Sequence, residues 1–172
     1  MALFLLRVLG RRGFTLVEIL VVVAIIALLA VSAVPGLLRA RTTANETAAI
    51  GNLKALFSSL VIYHTAHNSY PAVSEDWNDA LYADAEPDYG PPAFNQELDG
   101  SAVVQGYAYE YIAYGAGMSF VLRASPDRLG QTGTRTFWVS DEGVLFHCTG
   151  GDTSDYIPGA AVPMAQPPGS CP

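Results

Sequence analysis

The stretch FTLVEILVVVAIIALLAVSAV, residues 14–34, decides the architecture of this chain, because it is apolar over the length that a bilayer requires. Glu18 is its only ionisable residue, and residues 19–31 contain only apolar side chains. A helix needs about 20 consecutive apolar residues to cross the hydrocarbon of a membrane. A soluble core helix of the same composition would have to be buried on every side. The length therefore predicts a membrane-spanning helix.

Charge is distributed unevenly on the two sides of this stretch. Arg7, Arg11 and Arg12 precede it, and the 16 acidic residues all lie at or after Glu18. Removal of residues 1–13 would change the formal net charge from −7 to −10, because 9 basic residues minus 3 leaves 6 against 16 acidic ones. An acidic protein does not attract nucleic-acid phosphates through its overall field, so direct nucleic-acid binding is not expected. The cations of the distal half that could form a local patch are Arg123, Arg128 and Arg135.

The sequence places a glycine before the apolar stretch and no secretory cleavage site after it. A signal peptide has its small-residue cleavage site on the far side of the apolar region. Here Gly13 follows the pair Arg11-Arg12 and precedes the apolar run. Ser32-Ala33 is the nearest approach to a site on the far side, but Pro35 and a helix-like continuation follow it. The span is therefore expected to stay in the mature protein.

The residues Arg12-Gly13-Phe14-Thr15-Leu16-Val17-Glu18 resemble the prepilin peptidase site of type IV pilins and type II secretion pseudopilins. In that family a membrane peptidase cuts after the glycine and methylates the new terminal amine. The resemblance implies that Phe14 becomes the first mature residue and Glu18 the fifth. Gly13 has no side chain, so a peptidase can approach its backbone closely, and the leader arginines favour the cytoplasmic face. The leader departs from the family in being unusually apolar over residues 2–6.

Glu18 requires a chemical explanation, because an ionised side chain deep in hydrocarbon costs several kcal/mol. The free amine that cleavage creates at Phe14 is cationic near neutral pH and stays so after N-methylation. The resemblance implies that Glu18 of one subunit faces the Phe14 amine of its neighbour during assembly. The alternative is a carboxylate that extends to the nearby cytoplasmic interface.

Pro35-Gly36 directly follows the apolar stretch and is expected to bend or locally unwind one long helix. Proline removes one hydrogen bond inside a helix and clashes with the preceding turn, so simple termination is the alternative. Residues 37–66 nevertheless keep a helical pattern with three- or four-residue spacing. Its positions are Ile50, Leu53, Phe57, Leu60 and His64. Type IV pilins resemble this chain here too, with a proline at the matching position where the helix loosens in assembled filaments.

The distal half contains β-rich runs that predict a small antiparallel sheet. The runs cover residues 106–113, 118–123, 134–139 and 144–148, and Ser140-Asp141-Glu142-Gly143 forms a hairpin turn between the last two. The tyrosines at positions 107, 109 and 111 share one face of the first run. The predicted fold class is α+β, with the long amino-terminal helix packed on three to four antiparallel strands. This order of elements resembles the type IV pilin head.

These patterns divide the chain into six segments. They are a leader at 1–13, a transmembrane and filament-core helix at 14–35, its amphipathic second half at 36–68, a surface loop region with a short helix at 69–105, the sheet at 106–148 and a disulfide-closed tail at 149–172. In an oxidising compartment Cys148 and Cys171 are expected to pair. The bridge would close a loop of roughly 24 residues and stabilise the fold by about 3 kcal/mol. Two unpaired thiols are the alternative.

Candidate chemical sites in the distal part are weak. His64 and His67 are three residues apart on the predicted helix, but two ligands without a third do not define a metal site. The resemblance to major pseudopilins brings calcium binding in a distal loop into consideration, but the spacing of the acidic residues matches no calcium-loop motif, so a calcium site is not expected. Those acidic residues are Asp141, Glu142, Asp152 and Asp155. No nucleophile elbow or other catalytic signature is present, so neither enzymatic activity nor a metal or cofactor is expected.

The resemblance implies a structural role in a type IV pilus for adhesion, motility or DNA uptake. The implied partners are copies of the chain in a helical filament, the prepilin peptidase and an inner-membrane assembly platform. The implied location is the bacterial inner membrane for the single-pass precursor, and an extracellular or periplasmic filament after assembly. A type II secretion pseudopilin is the first alternative. A membrane-anchored binding protein or enzyme outside any filament is the second.

Overall fold

The structure, a computed structural model, describes residues 14–72, 74, 76–83 and 86–150, and the backbone of residues 162–163 and 169–170. The chain forms two compact units that divide between Leu37 and Leu38. We call the described residues of the second unit, beginning at Leu38, the head. A single helix, α1 (Leu16–His67), supplies most of the first unit and the first element of the head.

Helix α1 ends where the backbone turns into the left-handed region. Asn68 has a φ of 55°, and its backbone N–H donates to the carbonyl of His64 at 2.8 Å. Asparagine is one of the few residues that adopt this conformation readily at the end of a helix. The helix therefore ends at His67, and the chain changes direction at Asn68.

The head contains one sheet, whose first five strands follow one another in chain order and pair antiparallel. They are β1 (Asp99–Val104), β2 (Tyr107–Tyr114), β3 (Ser119–Pro126), β4 (Arg135–Ser140) and β5 (Leu145–Thr149). Two short strands pair with β5, β6 (Val162–Pro163) antiparallel and β7 (Gly169–Ser170) parallel. The pilin-like α+β class predicted from the sequence is confirmed.

The sheet is larger than the three to four strands predicted, because β1 lies in the region that the sequence assigned to a surface loop and the short strands β6 and β7 lie in the predicted tail. Its first residues are Asp99, Gly100 and Ser101, which resemble a turn more than a strand. Gly100 has a φ of 91°, and the pairing register shifts between Asp99 and Ala102. This bulge hides the strand from a period-two search. The predicted hairpin turn is confirmed, since the Gly143 N–H donates to the Ser140 carbonyl at 2.9 Å.

The core of the head lies between the second half of α1 and one face of the sheet. The side chains that α1 buries there are Glu46, Ala49, Leu53, Leu56, Ser59 and Leu60. Short turns cover one side of this core, namely α2 (Asp76–Asn78), a π-helical turn (Asp79–Ala83) and a 3-10 turn (Pro92–Phe94). Trp77 and Phe94 are fully buried there, and the Trp77 indole donates to the Phe94 carbonyl at 3.1 Å.

Three tyrosines of β2 fill the sheet side of this core, as their alternating positions predicted. Tyr107, Tyr109 and Tyr111 are buried, and each hydroxyl has a hydrogen-bond partner. Tyr107 donates to the Arg135 carbonyl at 2.9 Å and Tyr111 to the Pro71 carbonyl at 2.7 Å. The Asn52 amide donates to the Tyr109 hydroxyl at 2.9 Å. Burial raises the pKa of all three phenols, that of Tyr109 to about 12, so they stay protonated at neutral pH.

Candidate functional site

The first turn of α1 contains the residues that the sequence singled out for assembly. Thr15 precedes the helix, and its hydroxyl oxygen accepts a hydrogen bond from the Glu18 backbone N–H at 3.2 Å. Thr15 is therefore the N-cap, and Glu18 occupies the third helical position of a capping-box sequence. A carboxylate in the first turn also complements the positive end of the helix dipole. Phe14 is 76% exposed and available to a partner.

This capping role of Thr15 was not inferred from the sequence. A threonine followed three residues later by a glutamate, directly before an apolar run, is a signal for the start of a helix. The same Glu18 therefore has two roles to consider, the pairing with an amine that the resemblance implies and a local contribution to the helix start.

The amino-terminal half of α1 exposes its apolar side chains on all sides. Its most apolar 18-residue window has a mean hydropathy of 2.9, and none of that window is buried. Within the described residues, α1 is the one helix that is long and apolar enough to cross a membrane, by length and composition. Exposed large side chains continue from Phe14 to Leu38. This surface needs lipid or protein around it, because its apolar area is otherwise left in water.

The helix continues without interruption through Pro35 and Gly36. Pro35 cannot donate the hydrogen bond that an internal residue normally makes. A Cβ added at Gly36 would meet no atom within 4 Å, so nothing in the described chain requires glycine there. The bend or local unwinding that the sequence predicted in this helix at these two residues stays a prediction.

A buried carboxylate joins α1 to the sheet. Glu46 accepts hydrogen bonds from the Thr134 N–H at 2.9 Å and hydroxyl at 2.7 Å, and from the Arg135 Nε at 2.9 Å and Nη2 at 2.7 Å. Arg135 also lies over the Phe137 ring, 5.1 Å from its centroid, and its Nη1 is 3.2 Å from the Nδ1 of His147. Burial alone would raise the pKa of Glu46, but these hydrogen bonds and the Arg135 charge lower it below its ordinary value.

The Glu46 network was not inferred from the sequence either, although its position carried a signal. Glu46, Ala49, Leu53, Leu56 and Leu60 recur at three- or four-residue spacing. An acidic residue on such a buried stripe requires a partner, because an unpaired charge is costly to bury.

The three arginines of the distal half do not form one patch. Arg123 pairs with Glu110 across β2 and β3, and Arg135 pairs with Glu46. Arg128 lies in the exposed loop between β3 and β4, with its Nε 3.7 Å from the Asp127 carboxylate. Two of the three are therefore neutralised by a carboxylate.

The two helix histidines lie in aromatic contacts. The His64 ring is 4.6 Å from that of Tyr70, and the His67 ring stacks on that of Tyr63 at 4.1 Å. Among the described residues, no group of three or more His, Cys, Asp or Glu side chains is placed to hold a metal ion. Asp141 and Glu142 are exposed on the turn before β5. The other two acidic residues considered for calcium, Asp152 and Asp155, lie outside the described residues.

Cys148 lies on β5, is fully buried and is disulfide-bonded. On the outer face of the sheet it packs with Val121 and Trp138. Its predicted partner, Cys171, lies outside the described residues, so the pairing of these two residues stays a prediction.

Comparison with known proteins identifies the amino-terminal segment. The family described as "Prokaryotic N-terminal methylation motif" matches residues 9–34. The type IV wide pilus major component PilA4 of Thermus thermophilus is 44% identical over 61 residues, which are 36% of this chain and 47% of that protein. The chain is a homologue of type IV pilins and type II secretion pseudopilins.

The proteins that this chain is similar to come from type IV pili and from type II secretion systems. The type II secretion system core protein G of Escherichia coli is 33% identical over 90 residues, 52% of this chain and 60% of that protein. The type IV major pilin protein PilA of Myxococcus xanthus is 37% identical over 60 residues, 35% of this chain and 27% of that protein. The matches to PilA4 and the E. coli core protein G thus cover about half the length of those relatives. No solved structure matches this chain significantly.

Proposed function

We propose that this chain is a structural subunit of a type IV pilus. It is inserted into the inner membrane as a single-pass precursor, cut after Gly13, methylated at Phe14 and packed helix to helix into an extracellular filament. The observation that carries the proposal is the methylation motif at residues 9–34 on a helix whose most apolar window has no buried residue. Such a helix is stable in lipid, and it is equally suited to the centre of a bundle of its own copies.

The physical basis of assembly is an exchange of surroundings for the amino-terminal half of α1. Side chains from Phe14 to Leu38 are exposed in the single chain. In the filament, contacts with neighbouring helices replace contacts with lipid, so the apolar surface stays out of water in both states. The Glu18 carboxylate pairs with the Phe14 amine of the neighbouring subunit when it moves from lipid into the filament, because a charge in an apolar environment requires an opposite charge.

Mass analysis of the purified protein tests processing. We expect a polypeptide that begins at Phe14, lacks residues 1–13 and carries one extra methyl group on its terminal amine. A host without the prepilin peptidase is the matched control and should yield the full-length chain. An intact Met1 terminus in the native host would contradict the proposal. It would favour a membrane-anchored binding protein or enzyme outside any filament.

A pseudopilin of a type II secretion system is the second candidate function. The observation that favours it is the match to the E. coli core protein G, which extends over 90 residues, against 61 for the pilus component PilA4. Both candidates require the same processing and the same helix packing. They differ in the location of the filament, which is extracellular for a pilus and periplasmic for a pseudopilus. The location of assembled filaments therefore distinguishes them.

A further inference from the structure

A basic cavity lies at the start of the head. It has a volume of about 670 Å³ and is formed by the first residues of the head on α1 and by the loop between β3 and β4. Three arginines line it, Arg39 and Arg41 from the helix and Arg128 from the loop. Leu38 gives it one apolar wall. The cavity therefore combines cationic groups with an apolar surface.

The loop that carries Arg128 is held in place by hydrogen bonds. The Asn45 amide donates to the Thr132 carbonyl at 2.9 Å, which fixes the loop to α1. The Arg128 N–H donates to the Thr132 hydroxyl at 3.0 Å, and the Thr132 N–H donates to the Arg128 carbonyl at 2.9 Å. Glu46 holds the next residues through Thr134. The loop is thus fixed against α1 in the isolated chain, and Arg128 faces the same cavity as the helix arginines.

The positive charge of this cavity is only partly neutralised within the described part of the chain, where one carboxylate faces three arginines. Neither Arg39 nor Arg41 has an ion pair among the described residues. Asp127 is the acidic residue that lines the cavity, and its exposed pair with Arg128 is weak at 3.7 Å. In contrast, Arg123 and Arg135 each have a carboxylate partner. The cavity therefore concentrates uncompensated positive charge on a protein that is acidic overall.

The position of the arginines along the chain decides which anion they meet. Arg39 and Arg41 follow directly after Leu38, the last in the series of exposed large apolar residues that begins at Phe14. A helix of this apolar length reaches from one side of the hydrocarbon to the other. Residues that directly follow the end of a span lie at the depth of the lipid headgroups, whose phosphates carry negative charge. A phosphate there also matches the fork of an arginine side chain.

We propose that this cavity binds the phosphate of an anionic phospholipid headgroup, in the leaflet that faces away from the cytoplasm, while the subunit is stored in the membrane. The inference rests on the membrane-anchored state of the proposed function. The bound lipid holds the subunit at a defined depth, and its release accompanies the transfer of the subunit into the filament.

The test uses the full chain in nanodiscs of phosphatidylcholine alone or with phosphatidylglycerol in equal parts. Native mass spectrometry gives the ratio of the two lipids that remain bound, and hydrogen–deuterium exchange of residues 127–134 locates them. We expect preferential retention of phosphatidylglycerol and slower exchange of this loop. Removing one cation in Arg128→Gln should lower the preference roughly fivefold, and Arg39→Gln/Arg41→Gln should lower it further. Lys54→Gln, which removes an exposed cation elsewhere on α1, is the matched control and should retain it.

Several results would overturn the lipid assignment. Equal retention of the two lipids, or a preference that survives all the arginine substitutions, contradicts it. Inorganic phosphate that slows exchange of residues 127–134 equally in phosphatidylcholine would indicate a site for free phosphate. Protection that rises with the number of chains per disc, independent of phosphatidylglycerol, would indicate contact with a second copy. A chain that does not enter the bilayer contradicts the proposed function as well, whereas insertion without lipid preference contradicts this inference alone.

Discussion

Glu18 combines two requirements in one side chain. The third position of a capped helix favours a carboxylate, and the backbone N–H of Glu18 donates to the Thr15 hydroxyl. The local contribution of the Glu18 side chain is modest, because a carboxylate in the first turn of a helix contributes about 0.3–1 kcal/mol. The cost of a charged group in hydrocarbon is several kcal/mol. The cost of leaving the charge without a partner in hydrocarbon is therefore larger than its contribution to the start of the helix. We expect a substitution of Glu18 to affect assembly more than folding.

We expect Glu18→Ala to abolish filament assembly while membrane insertion and the folding of the head remain intact. The substitution removes the carboxylate that we propose pairs with the Phe14 amine of the neighbouring subunit, and the head contains none of the altered atoms. Electron microscopy and shear fractionation measure assembly, and membrane fractionation measures insertion. Glu142→Ala, which removes an exposed carboxylate of the head, is the matched control. Normal filaments from the Glu18 variant would show that the carboxylate is dispensable.

At the level of elements, the sequence predicted the helix and the strands whose apolar residues follow a regular spacing. The four runs in the distal half correspond to β2, β3, β4 and β5. Helix α1 was predicted as one element, and its stripe from Ile50 to Leu60 packs in the core. Strand β1 was missed because its bulge and its Gly100 interrupt the alternation. The sequence cannot reveal such a strand directly, because its pairing depends on a partner strand and not on its own pattern.

The candidate site was predicted to a smaller extent than the fold. The processing and assembly residues, Gly13, Phe14 and Glu18, were chosen by resemblance, and their roles stay predictions. The cavity of Arg39, Arg41 and Arg128 could not be predicted, because the loop and the helix are far apart in sequence and meet only in the folded head. A local sequence pattern carries no information on contacts between segments that are far apart in the chain.

The contact between α1 and β4 gives a prediction about stability. Glu46→Gln should reduce the free energy of unfolding by about 3 kcal/mol at neutral pH, because it leaves Arg135 without its carboxylate. The pKa of Glu46 is lowered in the folded state. Its ionised form therefore stabilises the fold above the ordinary pKa of 4.5, and this contribution is lost as the pH falls through the lower folded value.

Chemical unfolding of the full chain in detergent, followed by near-UV circular dichroism at several pH values, measures this effect. The difference between wild type and Glu46→Gln should shrink as the pH falls below 4.5. Glu142→Gln, on the exposed turn before β5, should match wild type throughout. A constant difference at all pH values would contradict the assignment of this stability to the ionised carboxylate.

For the molecule as a whole, the open choice is between the two filament systems. The chain shares sequence with the pilus component PilA4 and with the secretion core protein G over its matched part. A subunit with one apolar helix and a small acidic head is compatible with either filament system. The discriminating property therefore belongs to the assembly and not to the single subunit.

We expect filaments that contain this chain to be recovered from the outer surface of the cells. Shearing intact cells, followed by mass spectrometry of the released filaments, measures this. The control is a mutant strain that lacks the assembly ATPase, in which the chain should remain in the membrane fraction. Filaments confined to the periplasm, together with a loss of protein secretion when the gene is deleted, would instead support the pseudopilin alternative.

The order of the strands also bears on how the head is made. In the sheet, β1 to β5 are neighbours in the same order as in the chain, so each hairpin closes over a short loop and at a small entropic cost. The sheet can therefore form hairpin by hairpin in the order in which the strands are made. Cys148 lies in the last strand of that series, and the other cysteine comes later still. The proposed Cys148–Cys171 bridge would therefore form only after all five of these strands have been made, and with two cysteines there is no wrong intramolecular pair to form.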